Sequence, residues 1–220
     1  MNKFSIGEAM RFGWTTMKAN FWFFVGLIFT VFAVRVFLPG LAGGFRQDHG
    51  FRPLALVVGL VSGIVSIIMG IGLAKIALMF VDGQKPRFDE MFAHANLFWR
   101  YLGAQILSNL IIGLGFLLLI IPGIIWSLKY SFVGYFVVDK GMGPIEALRH
   151  SARVTQGVKW QLLLFWLVMG FVNLAGVLVF GLGLLATIPT TMLATAFVYR
   201  KLAASLEPAV PVTTSVQTSG

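Results

Sequence analysis

The chain has 220 residues, 58% hydrophobic and 11% charged, with 17 Lys and Arg against 8 Asp and Glu for a net charge of +9. A soluble domain carries about 25% charged residues, so this composition excludes a water-soluble fold, and its continuous apolar runs exclude a β-barrel, whose strands alternate. There is no Cys, which removes disulfides, thiol nucleophiles and thiolate metal sites. The basic excess fits loop topology and anionic lipid rather than nucleic acid, because no Lys/Arg run with interleaved aromatics occurs.

Hydropathy predicts an all-α membrane protein with six transmembrane helices as three hairpins, each preceded by a cytoplasmic amphipathic interfacial helix. The spans are 19–38, 54–80, 101–121, 123–138, 160–180 and 184–204, each near the length that crosses a ~30 Å hydrocarbon core. Residues 1–204 form one domain, and the Pro- and Ser/Thr-containing tail 205–220 is expected to be disordered and cytoplasmic. The first span is longer than a signal-peptide core and is expected to remain uncleaved.

Lys3, Arg11, Lys18, Lys85, Arg87, Arg100, Lys140, Arg149, Arg153, Lys159, Arg200 and Lys201 fall on one side of this topology, against Arg46 and Arg52 on the other. Cytoplasmic loops collect Lys and Arg, so both termini are expected in the cytoplasm of a bacterium, with the spans in its inner membrane.

The segment before the first span, "EAMRFGWTTMKANFW" (8–22), echoes "EALRHSARVTQGVKW" (146–160), with a Trp fourteen residues after each Glu. In the first, Ser5 and Glu8 have capping-box spacing, and Ile6, Met10, Gly13 and Met17 oppose Glu8, Arg11, Thr15 and Lys18. In the other, Gly143 and Pro144 suit a helix start with Glu146 in its first turn. Glu146, Arg149, His150 and Arg153 share one face there, and Ile145, Leu148 and Ala152 another. A shorter middle copy, "PRFDEMFAHANLFW" (86–99), has Phe88, Phe92 and Ala95 as its apolar side. "FVDGQKP" (80–86) parallels "VVDKGMGP" (137–144), and outer turns are expected at Pro39-Gly40 and Pro122-Gly123. Together these predict three copies of one unit, an interfacial helix followed by a membrane hairpin.

The Glu-Ala-Leu helix, the central "LLIIPGIIW" and "VVDKGMGPIEALRHS" resemble the YciC-like family of bacterial integral membrane proteins, allied to the membrane domain found beside glycerophosphodiester phosphodiesterases. The resemblance covers nearly the whole chain, with 121–155 its distinctive part. It implies a six-span inner-membrane protein; the phosphodiesterase chemistry of fused members belongs to a separate soluble domain.

No catalytic constellation is legible. All eight carboxylates, Glu8, Asp48, Asp82, Asp89, Glu90, Asp139, Glu146 and Glu207, fall outside the spans, which weakens a proton-coupled mechanism. His49, His94 and His150 lack metal-ligand spacing, and no enzyme activity, cofactor or metal is expected. Three cations lie within spans: Arg35, Lys129 and Lys75. Each either snorkels to the nearer interface or contacts an anionic solute or lipid headgroup, with Arg35 as the nearest candidate partner of Lys129. Gln105, Asn109, Ser131 and Asn173 are placed to hydrogen-bond between helices, and stripes of small residues such as Gly59-Gly63 and Ser62-Ser66-Gly70-Ala74 mark helix contacts.

Two functions follow as expectations. The first is a non-catalytic membrane protein that organises anionic lipids, a membrane-protein partner or its own copies through its interfacial helices. The second is a transporter or channel for a small anionic solute or lipid, with Pro122 and Pro189 permitting helix bending.

Overall fold

The computed structural model describes residues 4–47, 52–179 and 181–206. Asp48, His49, Glu207 and nearly all of the expected tail lie outside the described residues. Among those described the chain is all-helical: α1 (Ile6–Ala19), α2 (Phe21–Gln47), α3 (Arg52–Val81), α4 (Phe98–Leu118), α5 (Ile120–Lys129), α6 (Val133–Lys140), α7 (Pro144–Val154), α8 (Lys159–Leu178) and α9 (Leu184–Ala204). Four segments are long and apolar enough to cross a membrane: Leu56–Val81, Phe88–Leu118, Ile120–Lys140 and Lys159–Leu178. A fifth is obtained if α1 and the first part of α2, bent by 92°, count together. α9 falls outside this set because Arg200 and Lys201 near its end, together with four Thr and Pro189, lower its hydropathy.

α1 starts as its sequence dictates. Ser5 Oγ accepts the Glu8 N–H at 3.3 Å, which satisfies one of the donors orphaned at a helix start. Gly13 and Met17 are buried, while Glu8, Arg11, Thr15 and Lys18 stay exposed. The buried face meets α9 in the antiparallel sense: Phe12 stacks on Phe197 at 5.1 Å, and a Cβ on Gly13 would fall 2.3 Å from the Thr190 carbonyl oxygen. Only glycine allows this approach. α9 is consequently the most enclosed helix, in contact with α1, α2, α3 and α8.

Four local expectations are corrected. Pro39-Gly40 does not turn the chain; α2 continues through it to Gln47, since a helical Pro removes one backbone bond while the apolar sequence on both sides favours continuation. The turn expected at Pro122-Gly123 falls instead at extended Leu119 (φ −167°, ψ 157°). Pro122 sits instead in the first turn of α5, where its missing N–H costs nothing. The middle amphipathic segment forms two short 3-10 turns, Phe88–Met91 and Ala95–Leu97, in place of a helix. Its anchor is Met91, 1% exposed, whose carbonyl presses on Gly72 of α3 where a Cβ would lie 2.1 Å away; Phe88 and Phe92 remain half-exposed. Finally, the span expected over 123–138 lies within the candidate span Ile120–Lys140, but its helix is interrupted at 130–132 between α5 and α6.

One end of the bundle gathers the charges. Arg200 near the end of α9 donates to Asp139 at 2.7 Å and to Asp82 at 2.6 Å, and the Tyr199 hydroxyl donates to Asp139 at 2.8 Å. Arg100 at the start of α4 donates to the Gly141 carbonyl at 2.6 Å. Trp22, Trp99 and Trp160, the Trp residues that end the three echoing segments, are 82%, 77% and 84% exposed. Indole rings of this kind populate membrane–water interfaces.

Candidate ligand cavity beside a broken helix

The break between α5 and α6 occupies Tyr130, Ser131 and Phe132. Ending one helix and starting another leaves carbonyls and N–H groups without helical partners, which is costly in an apolar surrounding. α7 supplies the remedy. Ser151, fully buried, donates from Oγ to the Lys129 carbonyl at 2.9 Å and accepts the Phe132 N–H at 3.3 Å. Thr155 Oγ1 lies 3.3 Å from the same Lys129 carbonyl. The face of α7 that makes this contact is Ala147, Leu148, Ser151 and Val154, not the expected Ile145, Leu148 and Ala152; Ile145 is 61% exposed. His150, expected on the polar face, is partly buried with its ring 5.5 Å from Phe136.

Beside the break lies a cavity of about 560 Å3 bounded by α3, α4, α6, α8 and α9. Each helix contributes one face at helical spacing: Gly70 and Ala74 from α3, Tyr101 and Gln105 from α4, Trp166, Gly170 and Asn173 from α8, and Ile188, Thr191 and Thr195 from α9. Tyr130 and Ser131 come from the break, and Gly134 and Tyr135 from the start of α6. A Cβ on Gly134 would lie 3.1 Å from the Tyr101 ring, so glycine lets that ring reach the wall. The Asn173 amide oxygen is buried without a hydrogen-bond partner. Tyr135 stacks on Tyr199 at 5.2 Å, which joins the cavity wall to the Arg200 ion cluster. A larger groove, about 680 Å3, runs between the start of α1 and that of α8, where Glu8 and Lys201 face Trp160; no helix break borders it.

Of the polar residues expected between helices, Gln105, Ser131 and Asn173 share this cavity, whereas Asn109 is on the exposed side of α4. Ser131 donates to its own Leu128 carbonyl at 2.9 Å, and Ser108 to that of Gln105 at 3.1 Å. Arg35, Lys75 and Lys129 do not line the cavity. Arg35 is exposed, and Lys75 and Lys129 are partly buried. The Lys129 ammonium lies 5.3 Å from the Tyr130 ring centroid. Glu8, Arg11, Glu146, Arg149 and Arg153 are all exposed on α1 and α7. Along the small-residue stripes, Ser62 is buried while Gly59 and Gly63 face outward with nothing nearby.

Tyr101, Tyr130, Tyr135 and Trp166 are the site residues that sequence reasoning passed over, since aromatic rings in apolar helices read as packing. The ion cluster had a trace in the sequence: Asp82 and Asp139 hold the same place in "FVDGQKP" and "VVDKGMGP", and in "FVYR" at the end of α9 that place is held by Tyr199, with Arg200 next to it.

No family model matches the chain, and no solved structure matches it. It is similar to uncharacterised proteins of Mycobacterium tuberculosis and Mycobacterium bovis, each 26% identical over a 246-residue alignment that covers 95% of this chain and 73% of the relative.

Proposed function

We propose that this chain is a six-span inner-membrane protein of the YciC-like type that binds, and moves between membrane faces, a small polar solute or the polar group of a lipid. The three hairpins and the cytoplasmic placement of both termini belong to the same proposal, and they rest on the charge asymmetry and on the exposed Trp22, Trp99 and Trp160. The observation that carries the function is the interruption at Tyr130–Phe132 within the span Ile120–Lys140, where Tyr130 and Ser131 border a cavity. Non-helical backbone at membrane depth is tolerated where it is buried in protein or lines a cavity, and discontinuous helices build the binding sites of many transporters.

A second reading, the organisation of lipids or partner proteins, is favoured by the exposed Arg149 and Arg153 on α7. It ranks lower because the apolar faces of α1 and α7 are already spent, on α9 and on the α5–α6 break.

Native mass spectrometry of protein purified in mild detergent tests the choice. A bound small molecule or lipid that Gln105→Leu releases, with the fold retained, is the expected result. Lipids lost on Arg149→Gln/Arg153→Gln but untouched by Gln105→Leu would favour the second reading and overturn the first.

A further inference from the structure

The lining of the cavity restricts its ligand, given the reading that it is a ligand site. Among the described residues, no charged side chain borders it. An anion there would have no counter-ion among the lining side chains. An organic cation would find aromatic faces but no free carboxylate, because Asp139, on the Tyr135–Tyr199 path, is already engaged by Arg200 and Tyr199.

The hydrogen-bonding balance carries the argument further. A hydroxyl has one proton to donate and two lone pairs. Ser131 spends its proton on the Leu128 carbonyl at 2.9 Å, Thr191 on that of Ile188 at 2.9 Å, and Thr195 on that of Thr191 at 2.7 Å. These three therefore offer acceptors to the cavity. A ligand that satisfies them brings O–H donors. A carboxylate or a fully ionised phosphate, which brings lone pairs alone, leaves these acceptors unpaired. Tyr101 and Gln105 supply donors for the ligand's own oxygens, and the rings of Tyr130, Tyr135 and Trp166 supply flat apolar surfaces. The volume, about 560 Å3, lies within the range of about 300–1,000 Å3 for small-ligand pockets.

We infer that the cavity takes an uncharged, multiply hydroxylated group, presented by a free polyol or sugar or by the neutral headgroup of a glycolipid.

The absence of native Cys makes the test direct. Ser131→Cys protein in phosphatidylcholine nanodiscs is reacted with a small water-soluble thiol reagent, and the labelling rate is followed while probes are added. Sorbitol or methyl glucoside represents the free source; glycosyl diacylglycerol in the disc represents the lipid source. Inorganic phosphate and phosphatidate are the anionic counterparts. Labelling slowed by a neutral hydroxylated probe and not by the anions is expected, and which neutral probe protects identifies the source. Tyr101→Phe and Gln105→Leu, each checked for a monodisperse fold, are expected to weaken that protection about fivefold to tenfold, the worth of one hydrogen bond. Two variants guard against one that fails to fold. Protection by the anions alone, or by no probe, overturns the ligand class while leaving the cavity standing. A thiol at position 131 that does not react at all overturns the underlying cavity reading.

Discussion

The Ser151 hydroxyl donates to the Lys129 carbonyl at 2.9 Å across 22 residues of chain, and the same oxygen accepts the Phe132 N–H at 3.3 Å. One buried side chain thus serves both broken ends of a helix. Ser151→Ala leaves the Phe132 N–H unsatisfied and the Lys129 carbonyl with only the Thr155 hydroxyl at 3.3 Å; an unsatisfied buried group costs about 1–3 kcal/mol. The expected outcome is a destabilisation of about 2 kcal/mol or more in reversible unfolding, measured in detergent micelles. An unchanged midpoint would show that the break does not depend on α7.

The Arg200 cluster makes an asymmetric prediction. The Asp139 side chain is 6% exposed, that of Asp82 37%. Removing one partner of a buried ion pair costs up to about 3–5 kcal/mol because the other charge is stranded, whereas exposed pairs are worth about 0–1 kcal/mol. Asp139→Asn is therefore expected to destabilise the protein far more than Asp82→Asn. The pair Asp139→Asn with Arg200→Gln should cost less than the sum of the two single changes. Equal effects of the two Asp substitutions would contradict the account.

Lys129 contributes its backbone more than its charge. Its carbonyl receives Ser151, while its ammonium has a cation–π contact with Tyr130 at 5.3 Å, worth about 0.5–1 kcal/mol at an exposed site. Lys129→Met, introduced into the Ser131→Cys protein, is expected to cost no more than about 1 kcal/mol and to leave protection of the thiol by the neutral probe intact. Loss of that protection would give the cation a role in binding.

Trp22, Trp99 and Trp160 are expected at headgroup depth. In single-Trp variants, lipids brominated near the headgroup should quench their fluorescence more strongly than lipids brominated deep in the chains. Stronger quenching by the deep label at all three positions would remove the basis for placing the charged end at an interface.

How much of this was legible depends on how local each signal is. The helices expected at 160–180 and 184–204 correspond to α8 and α9 almost residue for residue, because glycines and charges bracket each run, though of the two only α8 is apolar enough to span. The first turn of α1 followed from the spacing of Ser5 and Glu8. The break at 130–132 did not, because Tyr130, Ser131 and Phe132 are ordinary residues in an apolar helix, and what stabilises their irregular backbone is Ser151, distant in sequence. Polar character alone singled out Gln105, Ser131 and Asn173, but their convergence on one cavity, and the outward position of Asn109, depend on how five helices are rotated against each other. Likewise the echo of Asp82 and Asp139 was visible, while their meeting on Arg200 needed the fold.

The central claim, a solvent-reachable cavity beside the broken helix, is tested most directly by a cysteine scan along α8. Trp166, Gly170 and Asn173 face the cavity, whereas Leu167, Phe171 and Leu174 are exposed on the outside of the bundle. In nanodiscs, a water-soluble thiol reagent should label cysteines placed at 166, 170 and 173 and leave those at 167, 171 and 174 unreacted in lipid, a pattern with the 3.6-residue period of one helix face. Uniform silence across all six positions, or labelling confined to the outer three, would contradict it.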